Sequence, residues 1–209
     1  MSGPNEIAEA LLDQVLAAPR ADRRRVIAIA GPPASGKTTL SHVLANQMTA
    51  AGVQTMVVPM DGFHLDNRIL VAKGLLASKG SPETFDAEGF LRLVKALPAS
   101  QTVYYPIFDR ERDIAIAGAG LVSEACDTVI VEGNYLLFNA PIWKDLVSSW
   151  DFSIQIDCPL PVLRQRLIDR WLTHGLTQEN AIVRAESNDL KNAKLVASQS
   201  LDADVTVSA

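Results

Sequence analysis

Apolar positions along the chain follow two spacings. Residues 5–18 carry Ile7, Leu11, Leu12, Val15 and Leu16 three and four apart, the stripe of an amphipathic helix, and Pro19 ends it. Residues 26–30 are an unbroken apolar run of strand length. A glycine-containing loop follows. Leu40, Val43, Leu44 and Met48 then recur at helical spacing as far as about residue 51, where Gly52 is a C-terminal stop. Residues 53–58, 103–110, 128–134 and 152–157 read as four further strands. Residues 66–97 read as two helices separated by Lys79-Gly80-Ser81-Pro82-Glu83, with Asp86 as an N-cap and Phe90, Leu91, Val94 and Leu97 on the inner face. Residues 114–122, interrupted by Gly118 and Gly120, read as a small hairpin. A helix begins near Pro161 and stops at Gly175, and a second covers residues 178–187. Residues 188–192 read as a turn and residues 203–207 as a short strand. Strands alternating with helices predict an α/β fold with a five-stranded, mostly parallel sheet between two helical layers. The 209 residues suit a single domain, with a substrate-side insertion at about 61–122 and a helical lid at about 160–190.

The loop between the first strand and its helix is Gly31-Pro32-Pro33-Ala34-Ser35-Gly36-Lys37-Thr38. It matches G-x-x-x-x-G-K-[ST] at every fixed position, between a strand and a helix as that motif requires. A triphosphate needs many donors at short range. Backbone N–H groups and a helix N-terminus supply them. Pro32 and Pro33 have no N–H, so Ala34, Ser35, Gly36, Lys37, Thr38 and Thr39 are the expected donors, with Gly31 opening the loop. Lys37 is expected to reach the β and γ phosphates, and the Thr38 hydroxyl to bind Mg²⁺. The fold class becomes a P-loop NTPase three-layer sandwich.

Two strand ends carry acids. Ligands of an open parallel sheet lie beyond the carboxyl ends of its strands. Asp61, after the second strand, is the candidate general base for phosphoryl transfer to an alcohol. Glu132 ends the run at 128–131 and is assigned to Mg²⁺, through water, or to the acceptor. His64 either hydrogen-bonds the acceptor or packs and caps. Tyr105, Phe108 and Arg110 are candidates for the acceptor pocket, although Arg110 sits in a charged cluster that reads equally as a solvated turn. Arg166 and Arg170 are four apart on the helix after the fifth strand and share a face. They are candidate lid arginines that neutralise charge on the transferring group.

Composition narrows the function classes. The net charge of −5 makes general nucleic-acid binding a poor fit. The basic run of Arg23, Arg24 and Arg25 reads as a solvated turn. Cys126 and Cys158 are isolated, with no metal-ligand spacing, and fit a reducing cytoplasm. No secretory leader and no run of about 18 apolar residues is present, so no membrane partner is expected. A homo-oligomer is left open.

Taken together, GPPASGKT, MDGFHLDN, KGSPETFDAEGF, YYPIFDR, VIVEGNYLL and RQRLIDR resemble the P-loop kinases of the uridine kinase, phosphoribulokinase and type I pantothenate kinase group. Within it, the nearest likeness is to bacterial proteins described as candidate fructose transport system kinases. The resemblance implies ATP, Mg²⁺ and γ-phosphate transfer to a small-molecule hydroxyl of a sugar, nucleoside or pantothenate-like alcohol. It implies the base at Asp61, the phosphate lysine at Lys37, the metal hydroxyl at Thr38, an acid at Glu132 and lid arginines at Arg166 and Arg170. Phe108, where uridine kinases carry tyrosine, and Asn134-Tyr135 after Glu132-Gly133 weigh against a pyrimidine nucleoside as acceptor. The alternative reading is a nucleotide-dependent switch or chaperone. The sequence has no [NT]-K-x-D guanine-reading motif to support it.

Overall fold

The computed structural model describes residues 3–209. In chain order the elements are α1 (Pro4–Ala17), β1 (Arg25–Ala30), α2 (Lys37–Ala50), β2 (Thr55–Pro59), α3 (Asn67–Ala72), α4 (Ala87–Ala96), β3 (Val103–Asp109), β4 (Ile114–Val122), β5 (Thr128–Gly133), β6 (Phe152–Asp157), α5 (Leu160–Thr173), α6 (Gln178–Arg184), α7 (Leu190–Gln199) and β7 (Val205–Ser208). The main sheet has the order β2-β5-β1-β6-β7, and every neighbouring pair is parallel.

Alternation along the strands separates two cores. On β1, Val26, Ala28 and Ala30 face a cluster with Phe90, Tyr135, Phe138 and Trp143. Ile27 and Ile29 face the opposite cluster, with Leu11 and Val15 of α1 and Leu40, Leu44 and Met48 of α2. A parallel strand covered by helices on both faces is apolar at every position, and β1 and β5 are buried almost throughout. The three-layer arrangement expected from the sequence is therefore present.

Four expectations change. Residues 103–110 do not join the main sheet, because β3 pairs antiparallel with β4 in a separate two-stranded sheet. Residues 114–122 form one strand of that hairpin rather than a hairpin of their own, and the fifth sheet strand is the C-terminal β7. Residues 188–192 are not a turn. A π-helical turn, Ala185–Asp189, joins α6 to α7 in continuous helix. Asn and Asp have weak helix propensity, which hid it. Finally, Arg24 is not solvated. It is fully buried, and its guanidinium donates to the carbonyls of Cys126, Leu97, Ser100, Gln101 and Ser123. It ties the start of β1 to the end of α4 and to the β4–β5 connection.

Candidate active site

Sheet register builds the site. Ala30 is opposite Gly133, and Glu132 is opposite both Ile29 and Pro59. The carboxyl ends of β2, β5 and β1 therefore end level. They deliver Asp61, Glu132 and the Gly31 loop to one edge, beyond the strand ends where an open parallel sheet binds ligands. Asp61 lies in a 3₁₀ turn, Met60–Phe63. A Cβ on Gly62 would fall 1.9 Å from the Pro106 carbonyl oxygen. Only glycine lets this turn touch β3, and that approach brings Asp61 to Arg110.

Around the loop, Ala34 and Gly36 adopt left-handed conformations, with φ of 62° and 94°. Ser35 donates its N–H to Pro32 O. Among the described residues, the N–H groups of Ala34, Gly36, Lys37, Thr38 and Thr39 take no protein acceptor. Unpaired N–H groups at the start of a 14-residue helix form an anion cradle. The Thr38 hydroxyl is 3.2 Å from Glu132 Oε1, and Lys37 Nζ lies 2.9 Å from Pro32 O. Burial lowers the Lys37 pKa and raises that of Glu132, and their mutual attraction opposes both shifts. No cluster of three His, Cys, Asp or Glu side chains forms among the described residues. A hydroxyl and a carboxylate fit Mg²⁺ held jointly with phosphate oxygens, which is how that ion is usually bound. The donor set therefore fits a nucleotide triphosphate with a divalent cation.

Two cavities meet at Asp61. One, of about 250 Å³, is lined by the loop, Lys37, Thr38 and Glu132. The other, of about 130 Å³, is lined by His64, Lys79, Phe108, Trp171, Arg184, Asp189 and Asn192. Pro33, Asp61, Arg110, Asn134 and Arg170 line both. Asp61 Oδ2 accepts from Arg110 Nη2 at 2.6 Å, which leaves Oδ1 available to a hydroxyl. The His64 ring packs against Phe85 and Phe108 in tilted contacts, with centroids 4.0 and 4.6 Å away, and its Nδ1 lies 2.7 Å from Asp61 O. A carbonyl only accepts, so that nitrogen carries the proton and Nε2 is an acceptor. His64 thus packs and caps while it lines the second cavity.

The remaining candidates divide. Tyr105 is buried in the core and donates its hydroxyl to Val57 O at 3.2 Å, away from both cavities. Phe108 lines the smaller one. Arg166 and Arg170 border different cavities, although both cavities are lined by residues of the loop. Arg170 faces both cavities, and its side chain has no hydrogen-bond acceptor among the described residues. Arg166 reaches back to Ala34 O at 3.4 Å. It lines a third cavity of about 440 Å³ with Ile7, Leu40 and Ile156, which shares Ala34, Gly36 and Thr39 with the phosphate cavity.

Sequence reasoning did not single out several lining residues. Asn134, two positions after Glu132 at a strand end, was within reach of the same topological argument. Lys79 lay inside a quoted motif. Trp171, Arg184, Asp189 and Asn192 carry no local signal, because the π turn is what aims the last of them inward.

Residues 26–208 match the phosphoribulokinase / uridine kinase family. A crystal structure of a candidate fructose transport system kinase from Silicibacter sp. TM1040 is 49% identical, with a TM-score of 0.92 over 99% of this chain and 100% of that one. The Escherichia coli K12 protein YggC, itself uncharacterised, is 36% identical over 88% of this chain and 78% of its own length. A Schizosaccharomyces pombe protein named as a candidate uridine kinase is 32% identical over 88% of this chain and 83% of its own. With the loop, the strand-end acids and the second cavity in hand, the chain belongs to the phosphoribulokinase / uridine kinase family and is a small-molecule kinase.

Proposed function

We propose that this kinase transfers the γ-phosphoryl group of ATP, with Mg²⁺, to a hydroxyl of a small molecule held in the 130 Å³ chamber, with Asp61 as the general base. The observation that carries the reading is the position of Asp61 on the wall shared by the two cavities. A base there touches an acceptor on one side and the phosphate site on the other.

Each residue then has a role. The free N–H groups of Ala34, Gly36, Lys37, Thr38 and Thr39 hold the phosphates, and Lys37 neutralises charge on the β and γ positions. Thr38 and Glu132 would hold Mg²⁺, the Lewis acid that offsets charge on the transferring group. Asp61 Oδ1 takes the proton from the attacking hydroxyl as its oxygen bonds to phosphorus and the bond to the leaving oxygen breaks. Arg110 fixes the Asp61 carboxylate through Oδ2. Arg170, facing both cavities, stabilises the charge that spreads over the equatorial oxygens. Arg166, whose Nη1 donates to Ala34 O, positions the loop from the neighbouring cavity. A switch NTPase would have no use for a second chamber that opens onto the base, and this weighs against that alternative.

The test is ADP release with ATP and Mg²⁺ across sugars, nucleosides and pantothenate-like alcohols. One acceptor should stimulate the wild type. Asp61→Asn should lose ~10²–10⁴-fold in kcat on it while still binding ATP. Retained turnover in the variant would remove Asp61 from the role of base.

A further inference from the structure

We propose that the acceptor carries an anionic group, a carboxylate or a phosphate, at the end remote from its reacting hydroxyl, and that Arg184 receives it. This rests on the kinase reading above and narrows its substrate class.

The lining of the chamber has two poles. Asp61 borders the chamber and the phosphate cavity. Arg184 borders the chamber and a wider outer cavity of about 580 Å³, and does not border the phosphate cavity. An acceptor whose hydroxyl meets Asp61 therefore presents its other end to Arg184. The size agrees. An engineered cavity of about 150 Å³ holds benzene, so a chamber of 130 Å³ admits a short polar molecule whose far end emerges at the mouth.

Unused hydrogen-bonding capacity decides the chemistry at that far end. Lys79 spends its three donors on Asn67 Oδ1, Asp113 O and Asp113 Oδ1, all within 2.9 Å. Asp113 also accepts from Asn67. Asp189 accepts from the Trp171 indole N–H at 2.6 Å, which pins that ring. Arg184 lies over the same ring at 5.2 Å and donates only Nη1, to Ala77 O at 3.1 Å. Its Nε and Nη2 have no protein acceptor among the described residues. Asp113 is thus engaged by Lys79 and Asn67 and Asp189 by Trp171 through Oδ2, while a guanidinium placed over an indole keeps donors in reserve. A guanidinium fork with Nε and Nη2 both free is the group that matches a carboxylate or phosphate in a bidentate pair. The chain carries a net charge of −5, yet the cations lining the chamber outnumber its carboxylates four to three.

Matched pairs test this. ADP release and calorimetric binding, the latter with a non-hydrolysable ATP analogue, would be measured for glycerate against glycerol, pantothenate against pantothenyl alcohol, sugar monophosphates against free sugars, and uridine. One anionic member should bind at least ten times more tightly than its neutral partner. Response in the carboxylate arm or in the phosphate arm identifies the source. Arg184→Gln should raise KM for that anion about tenfold or more, the scale of a lost charge-assisted bond, against less than threefold on kcat, and draw anion and neutral partner towards parity. Arg184→Lys, which keeps charge without the fork, should recover part of the loss, and matched thermal melts exclude misfolding. Neutral partners that bind as well as anions, or an Arg184→Gln variant with the wild-type preference, would overturn the proposal. Arg184-dependent anion binding without turnover would uphold it and count against the kinase reading instead.

Discussion

The two ends of β1 each hold a buried cation, and the pair behaves in opposite ways. Arg24, just before the strand, is fully buried, and all five of its N–H donors end on backbone carbonyls. Lys37, after the loop that leaves the strand, is 7% exposed, and its one protein acceptor among the described residues is Pro32 O. Burying a charge is costly unless its hydrogen bonds are met. A saturated cation has been matched to the fold. An unsaturated one is held ready for something the chain does not itself supply. The same contrast separates Lys79 from Arg184 on the acceptor side, so scaffold and site can be told apart by donors left over rather than by burial.

Exchanging each cation for a neutral side chain of similar length should sharpen that division. Arg24→Met leaves several buried carbonyls without donors. Each such orphan costs about 1–3 kcal/mol, so the total should exceed about 3 kcal/mol, a large share of the ~5–15 kcal/mol that holds a domain together. Denaturant melts should record it, with little effect on the turnover of whatever remains folded. Lys37→Met should do the reverse. Turnover should fall by ~10²–10³-fold, the scale for removing one preorganised charge-stabilising donor. The melting temperature should change far less than for Arg24→Met, because removal of a desolvated ammonium offsets the loss of its attraction to the buried Glu132. A comparable drop in melting temperature for Lys37→Met would make it a scaffold residue like Arg24, and the contrast would collapse.

How much could be read without coordinates follows the same line. The layers, the phosphate loop and the two strand-end acids were legible, because period-two and period-3.6 burial and a contiguous motif are local properties of the chain. Arg24 was misread as solvated because its five acceptors come from segments about 70 to 100 residues away in sequence, a relation no window contains. The acceptor wall was half legible. Phe108 and Arg110 face the chamber, but Tyr105, three residues before Phe108 on the same strand, points to the opposite face and into the core. The π turn that aims Asn192 inward also has no sequence period. Tyr105→Phe offers a smaller check. Losing its bond to Val57 O should cost about 1 kcal/mol of stability and leave KM for the acceptor as it was. A shift in KM would return Tyr105 to the pocket.

The smallest expected effect concerns His64. Its ring packs against two phenylalanines, and burial lowers its pKa below the usual histidine value, against the pull of Asp61 and with the push of Lys79 and Arg110. The unfolded chain takes up a proton near pH 6.5, while the folded chain resists it. Below that pH the unfolded state binds more protons, so stability rises with pH through this range and is lost as pH falls from about 7 to 5. Glu132, whose pKa burial raises, slopes the other way, but it is common to both proteins in a comparison with His64→Gln and cancels there. The melting-temperature advantage of wild type over His64→Gln should therefore shrink on acidification. If the difference instead stays flat, His64 protonates as freely in the fold as outside it. Its ring would then be available to the acceptor rather than committed to the fold like Arg24.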